Sequence, residues 1–349
     1  MDSIDVEQLL ELRSQLPVID VRSPAEYERG HIPGAVSLPL FDNEERAGVG
    51  TTYHKKGKIE AVKEGLRIVG PKMVDLVESA LQYAGNGELV LYCWRGGMRS
   101  ESMAWLFERA GIMCHLLKGG YKRYRSYGRR MLNQPARLFI LGGYTGSGKT
   151  DILKALSRHG QQILDLEGLA RHKGSAFGAL GQHDQHPNEH FENLLFGQWL
   201  RLDRKAPIWI EDESKMIGKN VIPDELFHRM RSSPVIKVDM DRSLRVERLV
   251  REYARFDKQK LFEAVRRISK RLGGEKTREA MKAIDEGDFH TAVDITLGYY
   301  DKAYEHGLSK RHEATLYPLK VRQDAPADNA AKALEKAHEI LGLLNIKKR

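Results

Sequence analysis

The sequence predicts an α/β protein of two domains, one over 1–130 and a phosphate-loop domain over 131–349 that closes on basic helices. Three observations predict it. Short apolar runs of strand length alternate with helical segments from Pro17 to Leu117. A second alternating series starts at Arg137, just behind Pro135, and contains a glycine-rich loop. After Asp241 the pattern changes to long helical segments. A chain of 349 residues can bury two ordinary cores. Its 41% hydrophobic and 30% charged residues, without repeats or low-complexity tracts, are the composition of a folded protein.

In the first series, Pro17 to Arg22 reads as a strand and Ser23 to Gly30 as a capped turn or helix. Glu88 to Tyr92 is an apolar run suited to burial on both faces of a parallel sheet. A helix follows from about Met98 to Ala110, with Met103, Leu106 and Phe107 on one stripe, and Met113 to Leu117 is the next strand. Tyr121 to Gln134 is basic and polar and reads as the connection between domains. In the second series, strands are expected at Arg137 to Leu141, Gln162 to Leu166, Pro207 to Glu211 and Val235 to Asp239. Val246, Leu249, Val250 and Tyr253 then recur at helical spacing.

The net charge of +9 is unevenly placed. Arg242 to Lys282 holds 14 basic and 6 acidic residues, so +8 falls in that stretch. Such a surface attracts polyanions, and RNA-contact candidates are Arg245, Arg248, Arg251, Arg255, Arg266, Arg267, Lys270 and Arg271. A merely solvated helix face is the competing reading. Tyr253 and Phe256 are stacking candidates, or simply core. No apolar run approaches the roughly 18 residues of a membrane span. Asp2, Asp5 and Glu7 stand where a secretory signal would be basic. Two cysteines make no disulfide framework, so a cytoplasmic location and no membrane partner are expected.

The strand ending at Tyr92 runs directly into Cys93-Trp94-Arg95-Gly96-Gly97-Met98-Arg99-Ser100. A thiol at a helix N-terminus, ringed by backbone N–H groups, has its thiolate stabilised. Arg95 and Arg99 add positive charge suited to an anionic reactant. Cys114, in mid-strand between Met113 and His115, reads as a packed thiol.

Val18 to Arg22, Glu26-Tyr27 and Gly30 to Ala35 together resemble the rhodanese signature. The resemblance implies that Asp20 and Arg22 support the active loop and that Cys93 is the family cysteine. Its C-x5-R spacing is longer than in most sulfurtransferases and is similar to that of rhodanese-related phosphatases, a width that suits selenium or selenophosphate.

Gly143 to Thr150 satisfies G-x-x-x-x-G-K-[ST] between an apolar strand and a helix. Gly143, Gly146, Ser147, Gly148, Lys149 and Thr150 are therefore the phosphate-binding candidates, and Thr150 can hold Mg²⁺. Asp165, Glu211, Asp212 and Glu213, at strand ends, are the acidic candidates for orienting metal or water. The loop specifies a diphosphate, and no sequence feature demands a purine base.

Tyr92 to Ser100, Gly142 to Thr150, Leu164 to Ala170, Gly174 to Gly178 and Glu211 to Gly218 together resemble the tRNA 2-selenouridine synthase family. That resemblance implies geranylation of wobble 2-thiouridine by geranyl diphosphate. Replacement of the S-geranyl group by selenium from selenophosphate follows. The implied partner is tRNA for Lys, Glu and Gln, through its anticodon stem-loop, with a selenophosphate-supplying enzyme upstream and no tightly bound cofactor. Three rivals remain: an NTPase or kinase fused to a persulfide-carrying sulfurtransferase, a non-catalytic sensor or scaffold, and a phosphatase suggested by C-x5-R.

Overall fold

In a computed structural model, residues 2–311 and 315–346 are described. They form two compact units, one of residues up to 132 with 187–197 and one of 133–186 with the described residues from 198 onward. The expected second domain thus contributes residues 187–197 to the first unit.

The first unit is built on a five-stranded parallel sheet. Across it run Asp2–Ile4, Met113–Leu117, Glu88–Tyr92, Val18–Asp20 and Val36–Ser37. Leu89, Val90, Leu91 and Tyr92 are fully buried, as the uninterrupted apolar run requires of a central strand. Helices Met73–Tyr83 and Met98–Arg109 insert Leu76, Ala80, Met103 and Phe107 into the core on the sheet. Cys114 lies in the same core, and burial pushes its thiol up to about 12, which keeps it inert.

The expected connection Tyr121 to Gln134 is mostly helix, Gly120–Leu132. Its buried face is Tyr121, Tyr124, Tyr127 and Leu132, hidden in sequence among basic residues. Arg125 bonds the Glu189 carbonyl, Asn193 and Glu192, and so fastens the 187–197 segment to this unit.

The second unit repeats the plan, with Leu316–Val321, Val235–Met240, Arg137–Gly143, Pro207–Glu211 and Gln162–Leu164 in one parallel sheet. Helices Lys149–Arg158 and Pro326–Ile346 cover the core around Phe139, Leu141 and Trp209. A separate core joins helices Arg242–Tyr253, Lys258–Leu272, Gly274–Glu286 and Phe289–Leu308. In each unit the chemically suggestive loop leaves the carboxyl end of the middle strand, where open parallel sheets place ligands. No helix among the described residues is long and apolar enough to cross a membrane.

Candidate active site

Cys93 follows the central strand of the first unit, and its sulfur lies before the N-terminus of helix Met98–Arg109. Gly97 N–H reaches the sulfur at 3.3 Å and the Ser100 hydroxyl at 3.2 Å. Burial pushes the thiol up, but hydrogen bonds from Ser100 and the N–H groups of Gly97 and Arg95 outweigh it, and the thiol lies below its ordinary value. The loop is tight enough to need glycine. At Gly96, with φ 64°, a Cβ would stand 2.6 Å from the Leu117 carbonyl oxygen. Only 4% of Cys93 is exposed.

Alkylation by iodoacetamide therefore tests both access and ionisation. The rate should rise with pH through a midpoint below that of a free thiol, and Ser100→Ala should move that midpoint upward. A midpoint at the free-thiol value would contradict the geometry.

Arg99 does not face the sulfur freely: it forms an ion pair with Glu26 at 2.6 Å. Arg95 is exposed and supplies its backbone N–H to the thiol environment. Asp20 and Arg22 form a buried bidentate pair at 2.6–3.1 Å, and Arg22 also donates to the Gly30 carbonyl at 2.7 Å. The Arg22 guanidinium lies 3.9 Å from the Tyr121 ring centroid and 5.9 Å from that of Trp94, the residue after Cys93. The pair thus shapes the base of the loop. Neither Ser100 nor Glu26 was named as a site residue in sequence, although Glu26 belongs to the rhodanese signature and Ser100 follows C-x5-R directly.

In the second unit, the loop after strand Arg137–Gly143 leads into helix Lys149–Arg158. Gly146 and Gly148 have φ of 82° and 77°, which favour glycine. The Lys149 ammonium rests on the Gly143 carbonyl at 3.0 Å, and the Ser147 hydroxyl is buried without a partner. Tyr304 steadies the loop: its hydroxyl accepts from Gly143 N–H at 2.7 Å and donates to Asp212 at 3.1 Å.

The acidic candidates separate. Asp165 caps helix Leu166–Ala170 by accepting from Gly168 N–H at 2.8 Å. Asp212 pairs with Arg311 at 2.5 Å beside Tyr304. Glu211 and Glu213 instead converge with Glu167, which the sequence reading did not single out; one oxygen from each lies within 4.8 Å of the others. Thr150 donates to Glu167 at 3.1 Å. Burial, with Glu167 beside it, pushes the Glu213 carboxyl up to about 8, and burial, with Glu167 and Glu213 beside it, raises Glu211 well above the usual carboxylate range.

The arginine candidates also divide. Arg245 is buried, bonded to Asp301 and the Thr145 carbonyl, and lies over the Tyr144 ring. It holds the phosphate loop and cannot grip RNA from there. Arg248 pairs with Asp151 and Asp324, and Arg251 with Asp324. Arg255 is exposed above Phe256. Arg266, Arg267, Lys270 and Arg271 remain exposed on helix Lys258–Leu272. Tyr253 packs on Phe177, as core rather than as an RNA platform.

A cleft of about 660 Å³ opens over the phosphate loop, lined in part by Lys149, Thr150, Glu167, Glu213 and Arg248. Beside it lies a narrow apolar pocket of about 30 Å³ lined by Phe177, Leu261, Val265, Ile284 and Leu297. Thr145, Ser175, Leu249, Tyr253 and Tyr300 line both.

Two family profiles match the chain: a rhodanese-like domain over residues 5–127, and the tRNA 2-selenouridine synthase AAA domain over 136–325. A tRNA 2-selenouridine synthase of Nitrosomonas europaea is 34% identical, the match covering 84% of this chain and 90% of that one. One of Bdellovibrio bacteriovorus is 34% identical, covering 91% and 96%. Among solved structures, a yeast single-domain rhodanese and Cdc25-phosphatase homologue matches 36% of this chain and 82% of its own at 18% identity and TM-score 0.23. On the two domain profiles and the near full-length relatives, the chain belongs to the tRNA 2-selenouridine synthase family.

Proposed function

We propose that this protein converts wobble 2-thiouridine of tRNA to 2-selenouridine in two steps, each assigned to one loop. The observation that carries the first step is the phosphate loop opening onto a cleft of about 660 Å³ whose wall includes Leu249, Tyr253 and Tyr300. A prenyl diphosphate fits this cleft: its diphosphate suits the loop N–H groups and Lys149, and its tail suits the apolar faces of Leu249, Tyr253 and Tyr300. The thiouridine sulfur attacks C1 of geranyl diphosphate, a C–S bond forms, and the C–O bond breaks to release diphosphate. Lys149 stabilises the charge developing on that leaving group. Mg²⁺, when bound through Thr150 and the nearby carboxylates, supplies further charge there. The orphaned carboxylate of Glu211 supports such a fit.

In the second step the Cys93 thiolate attacks phosphorus of selenophosphate, an S–P bond forming as the P–Se bond breaks, and the released hydroselenide bonds to C2 of the base as geranyl thiol leaves. Water then cleaves the S–P bond to give phosphate and restore the Cys93 thiol. The cysteine loop is the assigned site, because its N–H donors and helix N-terminus favour an anion. The tRNAs reading Lys, Glu and Gln codons are the proposed substrates, and a selenophosphate-forming enzyme the proposed supplier.

Omission experiments test this reading. With 2-thiouridine tRNA, geranyl diphosphate and selenophosphate, nucleoside mass spectrometry should find 2-selenouridine. Without selenophosphate it should find the S-geranyl nucleoside, and without geranyl diphosphate neither product. Selenation that needs no geranyl diphosphate would reject the two-step order.

RNA contact is assigned to the exposed basic face of helix Lys258–Leu272. Changing Arg266, Arg267, Lys270 and Arg271 together to glutamine should weaken tRNA binding and make log K fall less steeply with log salt, by about 0.7–0.9 per lost phosphate contact. An unchanged slope in a filter-binding titration would move the RNA surface elsewhere.

A further inference from the structure

We propose that Glu167, Glu211 and Glu213, with the Thr150 hydroxyl, form a site for one hard divalent cation that fills before any diphosphate arrives. The three carboxylates come from separate pieces of chain. Glu167 lies in the short helix Leu166–Ala170, Glu211 ends the strand Pro207–Glu211, and Glu213 is in the loop beyond it. One oxygen from each falls within a common 4.8 Å, and the Thr150 hydroxyl is 3.1 Å from Glu167 Oε2.

A group of acids alone would prove nothing, since carboxylates often share a solvated surface. Glu211 is different. It is 0% exposed, and neither carboxylate oxygen has a hydrogen-bond partner. Buried polar groups are almost always satisfied, and a buried carboxyl facing two others needs either a proton or a cation. Lys149, which lines the same cleft, brings one positive charge against three carboxyls and already donates to the Gly143 carbonyl.

The donors are all oxygen, which selects Mg²⁺ or Mn²⁺ over the softer metals that prefer nitrogen and sulfur. The number of carboxylates sets this site apart. Phosphate-loop proteins usually hold their metal through a hydroxyl and one acid, and the bound phosphates complete the shell. Three protein carboxylates make diphosphate dispensable for binding. The cation would then await the substrate and help draw its diphosphate into the cleft.

The proposal shares the cleft with the diphosphate assigned above but is tested without it, so either can fail alone. Mn²⁺ is titrated into the metal-stripped full chain, with no diphosphate or RNA, and free Mn²⁺ is followed by electron paramagnetic resonance. One Mn²⁺ should bind per chain and be displaced by Mg²⁺, and Mn²⁺ should raise the melting temperature. Glu211→Gln and Glu167→Gln should each lower affinity at least tenfold while the metal-free chains keep the wild-type circular dichroism. Asp224→Asn, at an exposed acid that pairs with Lys215 and is not among the converging carboxylates, should change nothing. No binding to the wild-type chain below millimolar Mn²⁺ would overturn the site. So would equal affinity in a folded Glu211→Gln chain, or an equal loss in Asp224→Asn. Should either cluster variant fail to fold, Glu213→Gln, at a partly exposed position, reads the same affinity.

Discussion

Cys93→Ser is expected to lower selenation of S-geranyl tRNA by at least about 10³-fold while leaving geranyl transfer at its wild-type rate. The magnitude follows from what the loop is built around. The Gly97 N–H and the Ser100 hydroxyl both point at sulfur, at 3.3 and 3.2 Å. Serine carries a shorter C–O bond and stays protonated, so those donors would surround a neutral hydroxyl instead of a stabilised anion. The fold should not suffer, because the exchange removes little volume at a strand end and leaves the backbone bond from Tyr121 N–H to the Cys93 carbonyl intact. The readout is the S-geranyl nucleoside, which should accumulate when all substrates are supplied. Wild-type selenation by the variant would remove the cysteine from the mechanism.

Lys149→Ala should have the second large effect, on the other step. Geranyl transfer is expected to fall by about 10²–10³-fold, the usual consequence of removing one group that stabilises leaving-group charge. The ammonium rests on the Gly143 carbonyl and has only to turn from it to meet an incoming diphosphate. The same substitution takes a positive charge away from Glu167, Glu211 and Glu213, for each of which Lys149 favours the ionised form. A melting curve in the absence of metal separates that effect from catalysis. Full geranylation with loss of selenation alone would reverse the assignment of steps to loops.

Both loops were legible in the sequence because each joins a mostly apolar strand to glycines that the backbone requires. Glu88–Tyr92 and Pro207–Glu211 lie where the apolar runs placed them, and the Val235 strand extends one residue beyond its expected end, to Met240. The helix Gly120–Leu132 was not legible, because its buried face is three tyrosines separated by basic residues. Hydrophobic periodicity is weak when the core side chain carries a hydroxyl. Helix Leu166–Ala170 has five residues, too few for any period to show, so Glu167 gave no signal of its direction.

At the end of strand Pro207–Glu211, neighbouring acids point to opposite sides. Glu211 therefore enters the carboxylate cluster while Asp212 turns to Arg311. A run of three acids cannot reveal that choice without knowing which face the sheet buries. The arginines make the same point about charge. Arg245 and Arg248 look free in a basic stretch, yet their partners Asp301 and Asp324 lie 56 and 76 residues away. Net charge says how much cationic surface a segment offers only after such pairs have been subtracted. What remains exposed is mainly the face of helix Lys258–Leu272.

The central claim is that two loops perform two separable steps on one RNA base, and a bypass experiment tests it most directly. Lys149→Ala protein is given tRNA already carrying S-geranyl-2-thiouridine, together with selenophosphate, and 2-selenouridine is followed by mass spectrometry. Selenation at close to the wild-type rate is the predicted result. Its absence, in a chain shown to be folded and to bind tRNA, would mean that the phosphate loop acts in the selenium step and would contradict the division of labour.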